Sequence, residues 1–184
     1  VLNSSDYGVP QTRRRVFVIA FDRGYFGENN INFQFPEPIQ LQVNLRSILD
    51  ENVDKKYFLS EKILSTILSH GTGNYYSKSE IDLQIARPLC ATMHKMHRAS
   101  QDNYVTDIEN RSKFEDTDEK RISNVRRLTP NECRKLQGFP SDWEINVSDT
   151  QAYRQFGNAV TVDVAYNVAM QIVRTLNIEL EIEG

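Results

Sequence analysis

The run from Arg126 to Val160, RRLTPNECRKLQGFPSDWEINVSDTQAYRQFGNAV, constrains the fold of this chain more than any other stretch. Thr129 is a good N-cap and Pro130 suits the first helical position. Glu132 falls three residues after Thr129, the spacing of a capping box. Cys133 and Leu136 share one helical face. Gly138 then predicts a left-handed stop, and Pro140 blocks continuation. Ser148 with Gln151 opens a second short helix that ends near Gly157-Asn158. Glycine there lets the backbone approach a neighbour or a ligand closely, and asparagine tolerates the same unusual angles. Thr161 caps a third helix, in which Ala165, Val168, Ala169, Ile172, Val173 and Leu176 make one apolar packing stripe.

The first ten residues carry the turn formers Asn3, Asp6, Gly8 and Pro10. Arg13, Arg14 and Arg15 follow. The next run, Val16–Phe21, has the length and β-branched content of a buried strand. Alternation along a strand puts Arg13 and Arg15 on one side and Arg14 on the other. Such a pair is either a solvated strand end or the wall of a cleft. In a cleft, the rigid guanidinium fork suits two-point binding of phosphate or of a base carbonyl.

Residues 22–45 read as an irregular connector, with Gly24, Gly27, Asn29, Asn30, Pro36 and Pro38. Leu45, Ile48 and Leu49 fit a short helical turn. Ser60 caps a clearer helix with Ile63, Leu64, Ile67 and Leu68 at helical spacing, ended by Gly71. Short strand candidates follow at 83–85 and 89–93. The stretch His94-Lys95-Met96-His97-Arg98, with Gln101 and Asn103 just beyond, is either a solvated hairpin loop or a DNA contact. The second option fits the mix of cations for phosphates and amides for base edges. No third metal ligand stands at a sensible spacing from the two histidines. Residues 106–120 are rich in Asp, Glu, Lys and Asn and read as a solvated loop. Glu179, Glu181 and Glu183 make an acidic tail.

The formal net charge is −3, so a nucleic-acid partner is not announced by a global basic field and must rest on local patches. The two cysteines, Cys90 and Cys133, stand far apart, which argues against a disulfide framework and fits a reducing cytosol. No apolar run approaches the roughly 20 residues that span a bilayer, and the start carries no signal-peptide pattern. The chain opens at Val1 inside what reads as an element, so the expectation is a fragment or a subunit.

Three stretches together carry a resemblance. DYGVPQTRRRVFVIAF, RRLTPNECRKLQGFP and YRQFGNAV resemble the last three conserved motifs of the DNA cytosine-5 methyltransferases, in that family's order. The resemblance covers roughly residues 1–35 and 120–176. It implies an α/β chain: the end of a Rossmann-like, S-adenosylmethionine-dependent methyltransferase domain plus a smaller, mixed, β-containing target recognition domain. The implied division is 1–35 for the C-terminal strand region of the catalytic domain and 36–120 for target recognition. Residues 121–176 return to the catalytic domain, and 177–184 form the tail. It implies Gln11, Arg13 and Arg15 at the active site, with Arg15 hydrogen-bonded to the target cytosine and Arg13 holding the phosphate backbone or neighbouring groups. It implies Gln155, Gly157, Asn158 and Ala159 at the cofactor pocket. Placing target recognition in the middle makes Lys95, His97, Arg98, Gln101 and Asn103 the candidate DNA contacts. The implied partners are double-stranded DNA and an N-terminal catalytic lobe, in a bacterial cytoplasm at the nucleoid. The implied setting is DNA methylation of the restriction–modification kind.

The family's chemistry is attack of a thiolate on C6 of a flipped cytosine, followed by methyl transfer to C5. The Pro-Cys motif that supplies the thiolate is absent, as is the glycine-rich cofactor loop. Glu51-Asn52-Val53 spells the family's glutamate motif but lies downstream of the arginines, where the family has it upstream, and reads as chance. The expectation is therefore a C-terminal portion that is inactive alone. The alternatives are a separate DNA-binding subunit of a split enzyme and a catalytically silent binding module.

Overall fold

The computed structural model describes residues 1–27, 31–115 and 121–176, and within them the chain is mixed α/β. In chain order the strands are β1 (Leu2–Asn3), β2 (Arg14–Arg15), β3 (Phe58–Ser60), β4 (Gly71–Thr72), β5 (Tyr75–Tyr76), β6 (Tyr104–Thr106) and β7 (Ile122–Arg127). The α-helices are α1 (Arg23–Phe26), α2 (Glu61–Leu68), α3 (Ile108–Arg111), α4 (Pro130–Leu136), α5 (Asp149–Asn158) and α6 (Val162–Thr175). Short 3-10 turns stand at Ser4–Tyr7, Leu45–Ile48, Lys55–Tyr57 and Met93–Lys95.

The largest sheet is antiparallel, in the order β3-β7-β6, with Phe58 opposite Arg126 and Val105 opposite Arg126 on the other side. Consecutive side chains on a strand leave on opposite faces, and the burial follows that rule. Phe58, Val105 and Ile122 join the main core with Leu136, Tyr153 and Phe156. Leu59, Tyr104 and Val125 join a smaller cluster with Ile67 from α2 and Ala99. Full burial of side chains of this size stabilises by about 1.5–3 kcal/mol each. β7 lies between β3 and β6, so this sheet runs across residue 121, where the sequence suggests a return to the catalytic domain.

α4 forms as its residues dictate. The Thr129 hydroxyl accepts from the Glu132 N–H, and the Glu132 carboxylate accepts from the Thr129 N–H. Cys133 and Leu136 are fully buried, and Gly138 takes a φ of 76°. The same Glu132, itself fully buried, accepts two parallel bonds of 2.8 Å from Arg126. Arg126 Nε donates to Asp107 at 2.6 Å. Asp50 completes the clasp: its backbone N–H donates to Glu132, while its carboxylate accepts from Thr129, Asn131 and Lys135. This network joins the middle of the chain to α4.

Four expectations meet a different structure. Val16–Phe21 is not a strand: pairing stops at Arg15, and Val16 and Val18 are 72% and 84% exposed. A buried strand needs a ladder partner on each side, and the one edge beside it among the described residues is the two-residue β1. Phe21, Phe33 and Phe35 instead pack ring on ring, with Phe21 and Phe33 5.9 Å apart and Phe33 and Phe35 5.1 Å apart. Stretches 83–85 and 89–93 are not strands either. Their neighbour Ala86 makes a single parallel bridge with Gln11, and Met93 begins a 3-10 turn. Within 106–115, α3 replaces the expected loop, with Asn110 buried and Asp107 bonded to Arg126. Residues 116–120 and the acidic tail at 177–184 lie outside the described residues. No described helix is long and apolar enough to cross a membrane.

Candidate functional site

Three distant parts of the chain meet at Arg13. Its side chain is 2% exposed. One terminal nitrogen donates to the Leu89 carbonyl at 2.8 Å. The other donates to the Gly157 carbonyl at 3.0 Å and to the Ala159 carbonyl at 2.7 Å. Burial, reinforced by nearby Arg15, lowers the Arg13 pKa to about 10, and the Cys90 sulfur opposes this shift. The guanidinium therefore stays charged at neutral pH, with no carboxylate bonded to it among the described residues. Its fixed fork is suited to binding several carbonyls at once.

Gln11 works beside it and is fully buried. Its amide nitrogen donates to the Leu136 carbonyl at 3.0 Å, and its amide oxygen accepts from the Leu89 N–H at 2.8 Å. Backbone bonds from Ala86 to Pro10 and from Thr12 to Ala86 lock the same junction. A second polar chain lies nearby. The Ser4 and Thr161 hydroxyls are 2.8 Å apart, Thr161 donates to Gln137 Oε1 at 3.1 Å, and Gln137 Nε2 donates to the Phe156 carbonyl at 2.6 Å. Thr161 precedes α6 in extended conformation, yet its hydroxyl makes this link and does not cap the helix. Ser4, Gln137 and the Leu89 backbone were not singled out in the sequence, because nothing local marks a residue whose partner is 24 or 157 positions away.

Arg15 differs from Arg13. Its guanidinium is exposed and donates to the Arg14 carbonyl at 2.7 Å. It borders the same small cleft as Arg13, together with Phe17, Val160 and Thr161. The expected grouping of Arg13 with Arg15 is therefore present, but only Arg15 has its charge open to a ligand. Gln11 and Arg13 are occupied by backbone groups.

The structure puts Gly157 in α5 against the backbone of Cys90 and Ala91; a Cβ at this position would overlap that backbone. The close approach expected of this glycine is to a neighbouring chain segment. Gln155 and Asn158 are exposed, Ala159 is half-buried, and Val160 is 50% exposed. Together they form an open edge rather than a closed pocket.

The middle patch divides. Lys95 and Gln101 are exposed, and His97 and Arg98 are half-buried. Met96, between them, holds a left-handed φ of 52°. His97 Nδ1 lies 3.4 Å from Asp102 Oδ2, which also accepts the His97 backbone N–H at 2.8 Å. Asn103 is 8% exposed and pairs with both backbone groups of Arg87, accepting at 2.8 Å and donating at 2.9 Å. Its amide is spent on that pairing and is not presented to a base edge. Among the described residues no cluster of three or more His, Cys, Asp or Glu is placed to hold a metal. Cys133 is fully buried, and desolvation pushes its thiol pKa well up, the reverse of what a nucleophile needs.

Comparison with known proteins gives one answer. The family model for C-5 cytosine-specific DNA methylase matches residues 1–174. The type II methyltransferase M.SsoII of Shigella sonnei is 33% identical over 96% of this chain and 44% of its own length. M.MspI of Moraxella sp is 33% identical over 96% of this chain and 38% of its own length. The chain spans about half the length of such curated relatives, from 38% to 56%. Among solved structures, the Entamoeba histolytica methyltransferase EhMeth has a TM-score of 0.62 at 19% identity, covering 95% of this chain and 52% of that one. The S. pombe Dnmt2 methyltransferase has a TM-score of 0.59 at 16% identity, covering 96% of this chain and 57% of that one. With the arginine junction, the capped α4 and the close-packed Gly157 all inside the matched span, this chain belongs to the C-5 cytosine-specific DNA methylase family.

Proposed function

We propose that the chain is the C-terminal portion of a DNA (cytosine-5) methyltransferase, which recognises duplex DNA and completes the active site of a lobe lying N-terminal to it or supplied as a separate subunit. In this reading residues 1–35 and 121–176 belong to the catalytic domain and 36–120 carry target recognition. The observation that carries it is the Arg13 junction. One side chain holds the arginine motif, Leu89 within the 36–120 segment and the end of α5 at Gly157 and Ala159 in one place.

Arg15 is the residue for the target base. Its exposed fork faces a cleft, and a cation there favours the electron density that enters the cytosine ring on attack at C6. Gln11 and Arg13 position that cleft. Asn158, with an exposed amide, and Val160, with an exposed apolar side chain, fit one edge of an S-adenosylmethionine site. When bound, that cofactor supplies the methyl group; these residues hold its rim. The exposed Val16 and Val18 offer an apolar surface on which a further strand of a larger sheet packs. The nucleophilic cysteine belongs to that missing lobe, since Cys133 is buried and Cys90 follows Leu89 and not a proline.

The test is transfer of labelled methyl groups to duplex DNA, measured for this chain alone and for this chain joined to an N-terminal half containing the Pro-Cys motif. The expected result is no turnover alone and turnover when joined. Robust turnover by the chain alone overturns the assignment of the nucleophile; no turnover in the joined protein overturns the reading as a completing portion.

A further inference from the structure

Arg126 and Arg127 are neighbours on β7 with opposite surroundings. Arg126 is met by two carboxylates. Arg127 meets none. Its Nε is sealed from solvent with no partner, and among the described residues its guanidinium has no hydrogen-bond acceptor. The group lies over two aromatic rings, 5.6 Å from the Tyr57 centroid and 5.2 Å from the Tyr153 centroid. Both rings are pinned by their hydroxyls, Tyr57 donating to Asp149 at 2.9 Å and Tyr153 to the Leu128 carbonyl at 2.6 Å. A ring face holds a cation in place without neutralising it. The result is a fixed, charged fork with donors to spare, the form that suits a phosphate oxygen.

The fork opens into a cleft with free volume of about 20 Å³, enough for one oxygen-sized guest. Pro88, Cys90, Met93, Asp102 and Asn103 also line it, and Arg127 is the cation of its described lining. Two carboxylates bear on this charge. Asp149 is already met by Lys56 at 2.8 Å and by the Tyr57 hydroxyl. Asp102 lines the cleft and accepts the His97 N–H. It opposes a free phosphate dianion more than the single charge of a phosphodiester. The rim runs directly from Met93 into the exposed Lys95 and, across the turn, to Gln101.

We propose that Arg127 is an anion receptor that takes one phosphate oxygen of bound duplex DNA in this cleft, a contact that adds to Lys95 and Arg98 and fixes the recognition segment on the backbone. The inference rests on the reading of the chain as the DNA-recognising portion.

The experiment is fluorescence anisotropy of the full chain with labelled duplexes of unrelated sequence over a potassium chloride series. Melting curves check that each variant is folded. Arg127→Gln should weaken binding to every duplex by the same factor and lower the slope of log affinity against log salt by about 0.9, one phosphate contact. Arg127→Lys should keep the slope, because the charge remains, while affinity falls because a point charge lacks the fork. Inorganic phosphate should compete no better than chloride at equal ionic strength. An unchanged slope in Arg127→Gln overturns the proposal. A slope lost equally in Arg127→Lys also overturns it, since packing and not charge is then what matters. Phosphate competition that exceeds the salt effect and vanishes in Arg127→Gln overturns the DNA assignment in favour of a small-anion site. No salt-dependent binding by the parent chain overturns the reading of this portion as DNA-recognising, and this inference falls with it.

Discussion

Arg13 donates to the carbonyl of Gly157 at 3.0 Å, and Gly157 is the one residue type that lets α5 come close enough for it. Its Cα lies against the Cys90–Ala91 backbone, which cannot turn aside as a flexible side chain does. The helix, the Leu89–Ala91 backbone and the arginine motif therefore share one contact. Moving any of them lengthens bonds to the other two.

Gly157→Ala should destabilise the chain. Alanine favours a helix over glycine by about 1 kcal/mol, so a free position would show a gain. Here the added methyl meets backbone on its far side, and overpacking costs about 1–3 kcal/mol. The check is a urea titration of parent and variant. A midpoint shifted upward in Gly157→Ala would show that α5 does not pack on Cys90–Ala91 this closely.

Glu132→Ala should cost more than a surface change, about 3–5 kcal/mol. Both partners of the Arg126–Glu132 pair are fully buried, so removal of the acid strands a guanidinium and frees two backbone N–H groups. Asp107 remains as a partner of Arg126 and places the loss toward the low end of that range. Thermal or chemical unfolding of the variant measures it. A loss under about 1 kcal/mol would mean the clasp is not formed in solution.

Acid should weaken the fold through Asp50 and Asp107. Burial raises both pKa values, but bonds from Lys135, Thr129 and Asn131 to Asp50, and from Asn110 and Arg126 to Asp107, outweigh it and hold both below the usual carboxylate value. A depressed folded pKa gives stability that is present above the unfolded value near 3.9 and is lost as pH falls through the folded one. Asp102 and Asp163 act in the opposite sense, because burial raises them. Stability measured between neutral pH and the acid range should therefore decline below roughly pH 4. The decline should be shallower in Asp50→Asn. An equal slope in the variant would remove Asp50 from the account.

What was legible in the sequence was local. Thr129, Pro130, Glu132 and Gly138 specify α4 within ten residues, and the structure forms each cap they imply. The period of the stripe from Ala165 to Leu176 gives the helix α6 but not its buried face: Val164 and Val168 are the buried residues, and Ala169, counted in the stripe, is exposed. Arg126 was legible as part of a motif but not as the centre of a clasp, because Asp107 and Glu132 come to it from different elements. Asn103 shows the same limit from the other side. An amide suited to a base edge is equally suited to a backbone pair, and Arg87, 16 residues away, decides which. Val16–Phe21 has a strand's composition, but a strand is a property of a pair, and its pair is not among the described residues. Alternation sets Arg14 apart in the sequence but puts Arg13 and Arg15 on the same side. Burial separates Arg13 from Arg15, and burial depends on Leu89, Gly157 and Ala159.

Arg13 and Arg15 should therefore fail differently when replaced. The test protein is this chain joined to an N-terminal half containing the Pro-Cys motif. Arg13→Ala removes three bonds to carbonyl groups and leaves those carbonyls unsatisfied in the interior, so its first effect should be a lower melting temperature. Arg15→Ala removes an exposed group that donates to its neighbour's carbonyl, so the melting temperature should hold. Its effect should appear in the chemical step, as a barrier higher by roughly 2–4 kcal/mol, the usual loss for a removed electrostatic donor. Arg14→Ala should change neither, because Arg14 lies exposed opposite Asn3 and the side chains beside it leave on the other face. Arg15→Lys should rescue little, because an ammonium cannot reproduce two-point donation. Single-turnover methyl transfer at saturating DNA separates chemistry from binding. If Arg15→Ala melted early and left the single-turnover rate intact while Arg13→Ala did the reverse, the roles given to the two arginines would have to be exchanged.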